Sequence, residues 1–149
     1  MNIFIGADHR GFNLKEKIKL WLAERHYEAT DLGAFDYDSK DDYTLYAEKV
    51  AEKVGADQSS RGILLCGSGI GVEIVANKID GVRAGLGKNP DHVKMGRTND
   101  DMNVLVMAAD FTTDQEAKAM LQTFLETQFG GEERHVRRLE DIKKIEQKY

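Results

Sequence analysis

Cys66, the single cysteine of the chain, ends an apolar run and stands directly before Gly67-Ser68-Gly69-Ile70-Gly71. Glycine at every second position lets the backbone turn and brings its N–H groups close to a ligand. With Val72 to Ile79 continuing as a helix, the sulfur lies between a strand end and a helix N-terminus. Free N–H groups and the helix dipole there favour negative charge and a thiolate. A thiolate over a row of N–H donors suits removal of a proton next to a carbonyl, the donors holding the oxyanion that results. The same residues also fit a buried structural cysteine ahead of a packing turn, since free cysteine often behaves as a small hydrophobe.

Two further groups carry chemistry. Asp8-His9 can supply hydrogen bonds to hydroxyls or to a phosphate, although an isolated Asp-His pair is as often a cap. Arg134 and Arg138 stand four apart, on one face of a helix, and could hold a phosphate between them. By spacing alone, two arginines in so charged a segment are more often salt-bridge partners. His26 and His92 have no such context and read as surface residues, while His135 lies beside the arginines and is ambiguous. No Walker A loop is present, and Gly67–Gly71 lacks the full dinucleotide pattern. No Cys and His run has zinc spacing, and Cys66 has no evident His/Asn pair of a protease.

Strand and helix signals alternate along the chain and position these groups. Asn2–Ala7 reads as a buried strand, followed by a helix from Asn13 to about His26 with Leu14, Ile18, Trp21 and Leu22 at helical spacing. Glu28–Leu32 is a weaker strand and Gly33–Asp42 an acidic loop. Tyr46, Ala47, Val50, Ala51 and Val54 make one helix face, and Ile63–Cys66 is the third strand. Val82–Leu86 is the fourth, followed by a helix from Pro90 to about Gly96 with proline in its first turn. Asn103–Ala109 is the fifth strand and Asp114–Gln128 an amphipathic helix. Gly130-Gly131 breaks the chain before a last polar helix, Glu132–Lys148, which has few apolar positions and is expected to reach towards a partner subunit.

Five strands alternating with helices predict a three-layer α/β/α sandwich around a five-stranded parallel sheet, Rossmann-like, with an extended C-terminal helix. In open α/β sheets ligands bind outside the carboxyl ends of the strands. That rule gathers Asp8-His9, Cys66 with its glycine turn, and Gly87 to Pro90.

The 149 residues read as a single domain, residues 1–149, with 41% hydrophobic and 32% charged residues. A net charge of −5 argues against nucleic acid as a partner. No apolar segment approaches the ~20 residues of a membrane helix, and no basic leader precedes the first strand, so a cytoplasmic protein is expected.

Gly6-Ala-Asp-His-Arg-Gly-Phe-Asn-Leu-Lys15, Asp42-Tyr43, Gly62–Gly71, Ala76–Ala84, Asn103-Val-Leu105 and the Gly-Gly…Arg-His…Arg ending occur in that order. Together they resemble the ribose-5-phosphate isomerase B family, which includes the galactose-6-phosphate isomerase subunits. The resemblance covers nearly the whole chain. It implies aldose–ketose isomerisation of a sugar phosphate through a cis-enediolate, with no metal and no organic cofactor, in a homodimer or dimer of dimers with sites near the subunit interface. Cys66 matches the base, Ser68 a hydroxyl residue beside it, and Gly67, Gly69 and Gly71 the loop whose N–H groups bind the enediolate. Asp8, His9 and Tyr43 match residues lining the sugar site. Arg134 and Arg138 match phosphate ligands, which can serve the neighbouring subunit's site.

Three departures stand out. The family's His-Asn-Asp-Ala-Asn run, whose histidine opens the sugar ring, is Asn99-Asp100-Asp101-Met102-Asn103 here. Asparagine can orient a substrate but cannot shuttle a proton near neutral pH. Asp110 stands where the family usually has an arginine, and Glu132 and Glu133 enter before Arg134. These changes leave room for a different sugar phosphate. They also fit a catalytically weak, sugar-phosphate-binding homologue or one subunit of a mixed oligomer. A flavodoxin-like or receiver domain fits worse, because neither a flavin loop nor the receiver's acidic pocket is present.

Overall fold

The computed structural model describes residues 1–149. Strands β1 (Ile3–Ala7), β2 (Ala29–Asp31), β3 (Arg61–Cys66), β4 (Ala84–Leu86) and β5 (Val104–Ala108) form one sheet in the order β2-β1-β3-β5-β4. Every pairing is parallel, with Ile5 opposite Ile63 and Cys66 opposite Ala108. The helices are α1 (Phe12–Glu24), α2 (Tyr43–Ala56), α3 (Ile70–Ala76), α4 (Pro90–Asp100), α5 (Asp114–Glu126) and α6 (Glu133–Glu146). No helix is long and apolar enough to cross a membrane.

Alternation along β3 explains its unbroken apolar sequence. Ile63 and Leu65 join the core containing Ile18 and Leu22 of α1 and Phe124 of α5. Leu64 and Cys66 face the opposite way, into the core containing Val50 and Val54 of α2 and Val72 of α3. A strand buried on both faces has no polar positions to alternate with. This is the three-layer α/β/α sandwich the alternation of elements predicts.

Three elements differ from expectation. Helix α4 does not stop near Gly96 but runs on to Asp100, ending where Asp101 adopts a left-handed conformation with φ 45°. Gly96 stays inside it because the Met102 side chain packs there, its sulfur 3.2 Å from where a Cβ would stand. Asn99 and Asp100 therefore lie in a helical last turn. Helix α3 spans Ile70–Ala76 in place of the expected Val72–Ile79. Helix α6, expected to reach towards a partner subunit, is tied to its own chain near its ends, while Val136, Ile142 and Ile145 stay exposed along it. His135 is buried, the Gly130 N–H donates to Thr98 O at 2.9 Å, and the Gly81 N–H donates to the Glu146 carboxylate at 2.9 Å.

Candidate active site

The chain leaves β1 for β2 in one direction and reaches β3, β5 and β4 in the other, so the carboxyl ends of β1 and β3 flank the switch point of the sheet. Crevices form at such points because the connecting helices diverge to opposite faces. The Asp8 N–H donates to Leu65 O at 3.3 Å, extending the β1–β3 pairing one residue into the crevice. Asp8 then accepts the Arg10 and Gly11 N–H groups at 3.0 and 3.1 Å, which turns the chain into α1. Burial raises the Asp8 pKa above its ordinary value, with the two N–H donors pulling the other way.

On the neighbouring strand, buried Cys66 accepts the Gly69 N–H on its Sγ at 3.2 Å. Gly69 has φ 76°, the left-handed region that glycine enters without a Cβ penalty, and this folds its N–H back onto the sulfur. Ser68 is exposed, and its Oγ accepts the Ile70 N–H at 3.3 Å. The N–H groups of Ser68 and Gly71 have no partner within the chain. The turn thus combines a sulfur held by one donor with further donors open to a ligand.

A cavity of about 330 Å³ opens over this turn. Cys66, Gly67, Ser68, Gly71, Asp8 and Tyr43 line it, as do Arg10, Asp110 and Phe111. Tyr43 reaches it from the first turn of α2, placed by the loop after β2. That loop is pinned by fully buried Lys15, whose ammonium donates to both Asp31 oxygens at 2.8 Å and to Ala34 O at 2.5 Å.

The other expected residues are not gathered here. The His9 ring turns away to Asp41, its Nδ1 2.7 Å from Asp41 Oδ1, which also accepts the His9 backbone N–H at 3.0 Å, and the ring meets Tyr37 edge-on with centroids 6.3 Å apart. Gly69 spends its N–H on Cys66 and does not line the cavity. Asn99 and Asp100 line a separate cavity of about 1310 Å³, between α3, β4, α4 and α6. The two cavities share Ser68 and Phe111 as their common wall. Arg134 and Arg138 lie on exposed positions of α6 and line neither cavity; Arg134 pairs with Glu132 at 3.0 Å. The placement follows from α6 being held to its own chain at Gly81 and Thr98, away from the Cys66 turn.

Asp8, His9 and Asp41 each bring one potential metal-ligand atom within 4.8 Å of the others. One oxygen of each carboxylate is engaged: Asp8 Oδ1 accepts the Arg10 and Gly11 N–H groups, and Asp41 Oδ1 faces the His9 backbone N–H and Nδ1. The trio is a hydrogen-bonded turn, with Asp41 Oδ2 buried and without a hydrogen-bond partner. Burial, followed by the nearby Asp41 charge, raises the pKa of the Tyr46 phenol behind it.

Arg10 and Asp41 were missed by residue-level reasoning. Arg10 carried a signal, since it directly follows Asp8-His9 at a strand end. Asp41 carried little, being one of several acids in its loop. Asp110, standing where the family usually has an arginine, is paired with Arg10, whose Nε donates to it at 2.8 Å.

Comparison with known proteins agrees with this fold. The Ribose/Galactose Isomerase family profile matches residues 3–142. The chain belongs to the ribose/galactose isomerase family. Within it, the chain is 39% identical over 146 residues to a probable ribose-5-phosphate isomerase B of Mycoplasma genitalium, covering 97% of this chain and 95% of that one. It is 38% identical over 146 residues to the Escherichia coli K12 ribose-5-phosphate isomerase B, covering 98% and 97%. The solved Mycoplasma genitalium ribose-5-phosphate isomerase B with bound ribulose-5-phosphate superposes with a TM-score of 0.95 at 38% identity, covering 99% of this chain and 97% of that one. The Clostridium thermocellum ribose-5-phosphate isomerase B also gives 0.95, at 39% identity, covering 100% and 99%. These two solved relatives thus superpose on this chain over essentially their full length.

Proposed function

We propose that the chain interconverts an aldose phosphate and the corresponding ketose phosphate, ribose 5-phosphate and ribulose 5-phosphate or a related pair, with Cys66 as the base. The observation that carries this is the Cys66 Sγ held at 3.2 Å by the Gly69 N–H beneath a cavity with Asp8, Tyr43 and Ser68 on its walls. Relatives that act on ribose 5-phosphate, one of them holding ribulose 5-phosphate, support the substrate class.

In the open-chain aldose, the Cys66 thiolate takes the proton from C2 and the carbonyl oxygen at C1 gains the negative charge. The free N–H groups of Ser68 and Gly71 hold that oxyanion in the cis-enediolate. The Ser68 hydroxyl moves a proton between the two oxygens, and Cys66 returns its proton to C1, leaving the carbonyl at C2. Asp8 and Tyr43 hold the sugar hydroxyls, and His9, steadied by Asp41, supports the same wall.

The cavity between α3, β4, α4 and α6 is the seat of a second copy, in a homodimer or dimer of dimers. Exposed Ile70, Met95, Ile142 and Ile145 line it and give it an apolar face that a second copy would cover. A copy seated there stands at the Ser68–Phe111 wall, next to the Cys66 cavity, and can bring the partner's Arg138 and the partner's Arg134 to the anionic end of the substrate. Asn99 and Asp100 lie on that same boundary.

The test is Cys66→Ala. Turnover and incorporation of solvent deuterium beside the carbonyl should both disappear while the thermal melt stays within a few degrees. A mutant that exchanges the proton at the wild-type rate removes Cys66 from the chemistry. A wild type that binds ribulose 5-phosphate without exchanging it favours the second reading, a binding homologue weakened by Asn99.

A further inference from the structure

Arg10 is the one cationic side chain among the residues lining the Cys66 cavity. Its Nε donates to Asp110 Oδ2 at 2.8 Å, and Nη2 donates to the same oxygen. Nη1 makes no hydrogen bond within the chain. Both partners are also fixed through their backbones. The Arg10 N–H is held by Asp8 Oδ1 at 3.0 Å, and the Asp110 N–H donates to Gly67 O at 3.1 Å.

The pair lies directly over the residue after the base. A Cβ on Gly67 would stand 2.5 Å from Arg10 Nε and 2.8 Å from Asp110 Oδ2, so only glycine leaves room for it. Its side chains are 58% and 34% exposed, and ion pairs so exposed add little to folding. Stability therefore does not account for a pair built into the wall of this cavity. A guanidinium with one edge held by a carboxylate and the other open is an anion receptor of fixed orientation.

We propose that Arg10, oriented by Asp110, determines specificity for an anionic substrate by placing Nη1 against the negatively charged group of a phosphorylated sugar in the Cys66 cavity. Arg10 belongs to the same chain as the base, and its role does not depend on where Arg134 and Arg138 stand. Asp110 is a positioning residue that acts through Arg10. This rests on the isomerase reading only for the identity of the ligand, since the receptor geometry is independent of turnover.

The experiment measures the affinity of ribose 5-phosphate by calorimetry in the Cys66→Ala background, which blocks conversion during the titration. Adding Arg10→Met should weaken binding about tenfold or more, the loss of one charge-assisted contact. Arg10→Lys keeps the charge but not the second, open edge of the guanidinium, and should recover only part of that loss. Asp110→Asn should weaken binding by a smaller factor. Affinity should fall with added salt less steeply in Arg10→Met than with Arg10 present, while thermal melts stay unchanged. Binding within twofold of the parent in Arg10→Met, or equal losses in Arg10→Met and Arg10→Lys, overturns the proposal. Isomerisation by the wild type with no Arg10 effect leaves the proposed function standing and removes this assignment. Arg10-dependent binding without isomerisation by the wild type does the reverse, and no binding at all removes both.

Discussion

Tyr43 packs so closely on Gly71 that a Cβ at residue 71 would stand 2.7 Å from the phenol Cζ and 2.8 Å from Cε2. The first turn of α2 and the glycine turn after β3 are thereby joined across the mouth of the Cys66 cavity. Forcing a methyl into a rigid contact costs about 1–3 kcal/mol, but Tyr43 is 40% exposed and free to swing outward. Gly71→Ala should therefore raise KM several-fold with a loss of stability under about 1 kcal/mol. Adding Tyr43→Ala should produce little further loss, because both changes remove the same contact. Fully additive effects on KM would show that Gly71 acts by another route.

Lys15 and Asp31 set an acid limit on stability. Burial pushes the Asp31 carboxyl up, but donors from Lys15, Lys19 and the Gly33 N–H outweigh it and hold the group below its ordinary 3.8. A carboxylate depressed in this way stabilises the fold above its unfolded pKa, and the contribution is lost as pH falls through the folded value. Lys15→Met should cost about 3 kcal/mol at pH 7, because it removes one partner of a buried pair. It should also flatten the fall in melting temperature below about pH 4. Melting curves from pH 7 to pH 3 for wild type, Lys15→Met and Asp31→Asn check both; an unchanged acid limb in Lys15→Met would separate the pair from acid sensitivity.

Asn99 places ring opening at risk. It stands in the last turn of α4 on the boundary cavity, and its amide cannot take and return a proton as a histidine does. Lost acid–base help of this kind is worth ~10²–10⁴-fold, enough to make ring opening slower than proton abstraction. Wild-type turnover of C2-deuterated ribose 5-phosphate should then show almost no primary isotope effect. Asn99→His should speed turnover and uncover that effect. A full isotope effect in the wild type would mean that water or another residue opens the ring.

Arg134 and Arg138 line neither cavity of their own chain. Cys66→Ala and the Arg134→Ala, Arg138→Ala double variant should each be inactive, the second through a raised KM. Mixed and allowed to exchange subunits, they should regain part of the wild-type activity, because one hybrid site carries both an intact base and intact arginines. No recovery despite exchange shown by mass spectrometry would place the arginines in their own subunit's site or in none.

The sequence by itself determined the five strands, the glycine turn behind Cys66 and the family to which the chain belongs. Each of these is local. Burial on both faces leaves a strand wholly apolar, and a sharp turn beside a ligand needs glycine, so both leave contiguous marks. The end of α4 was misread because Gly96 looks like a stop. Only packing against Met102, a neighbour supplied after the helix has ended, explains why it is not. Tertiary structure alone decided that Asp110 is a partner of Arg10 and not a lone charge, since one hundred positions separate the two and surface ion pairs obey no periodicity. It also decided that Asn99, Asp100, Arg134 and Arg138 stand apart from Cys66 within one chain. Which side chains share a cavity depends on the order of strands in the sheet and on where α6 docks, and neither is written into any short stretch of residues.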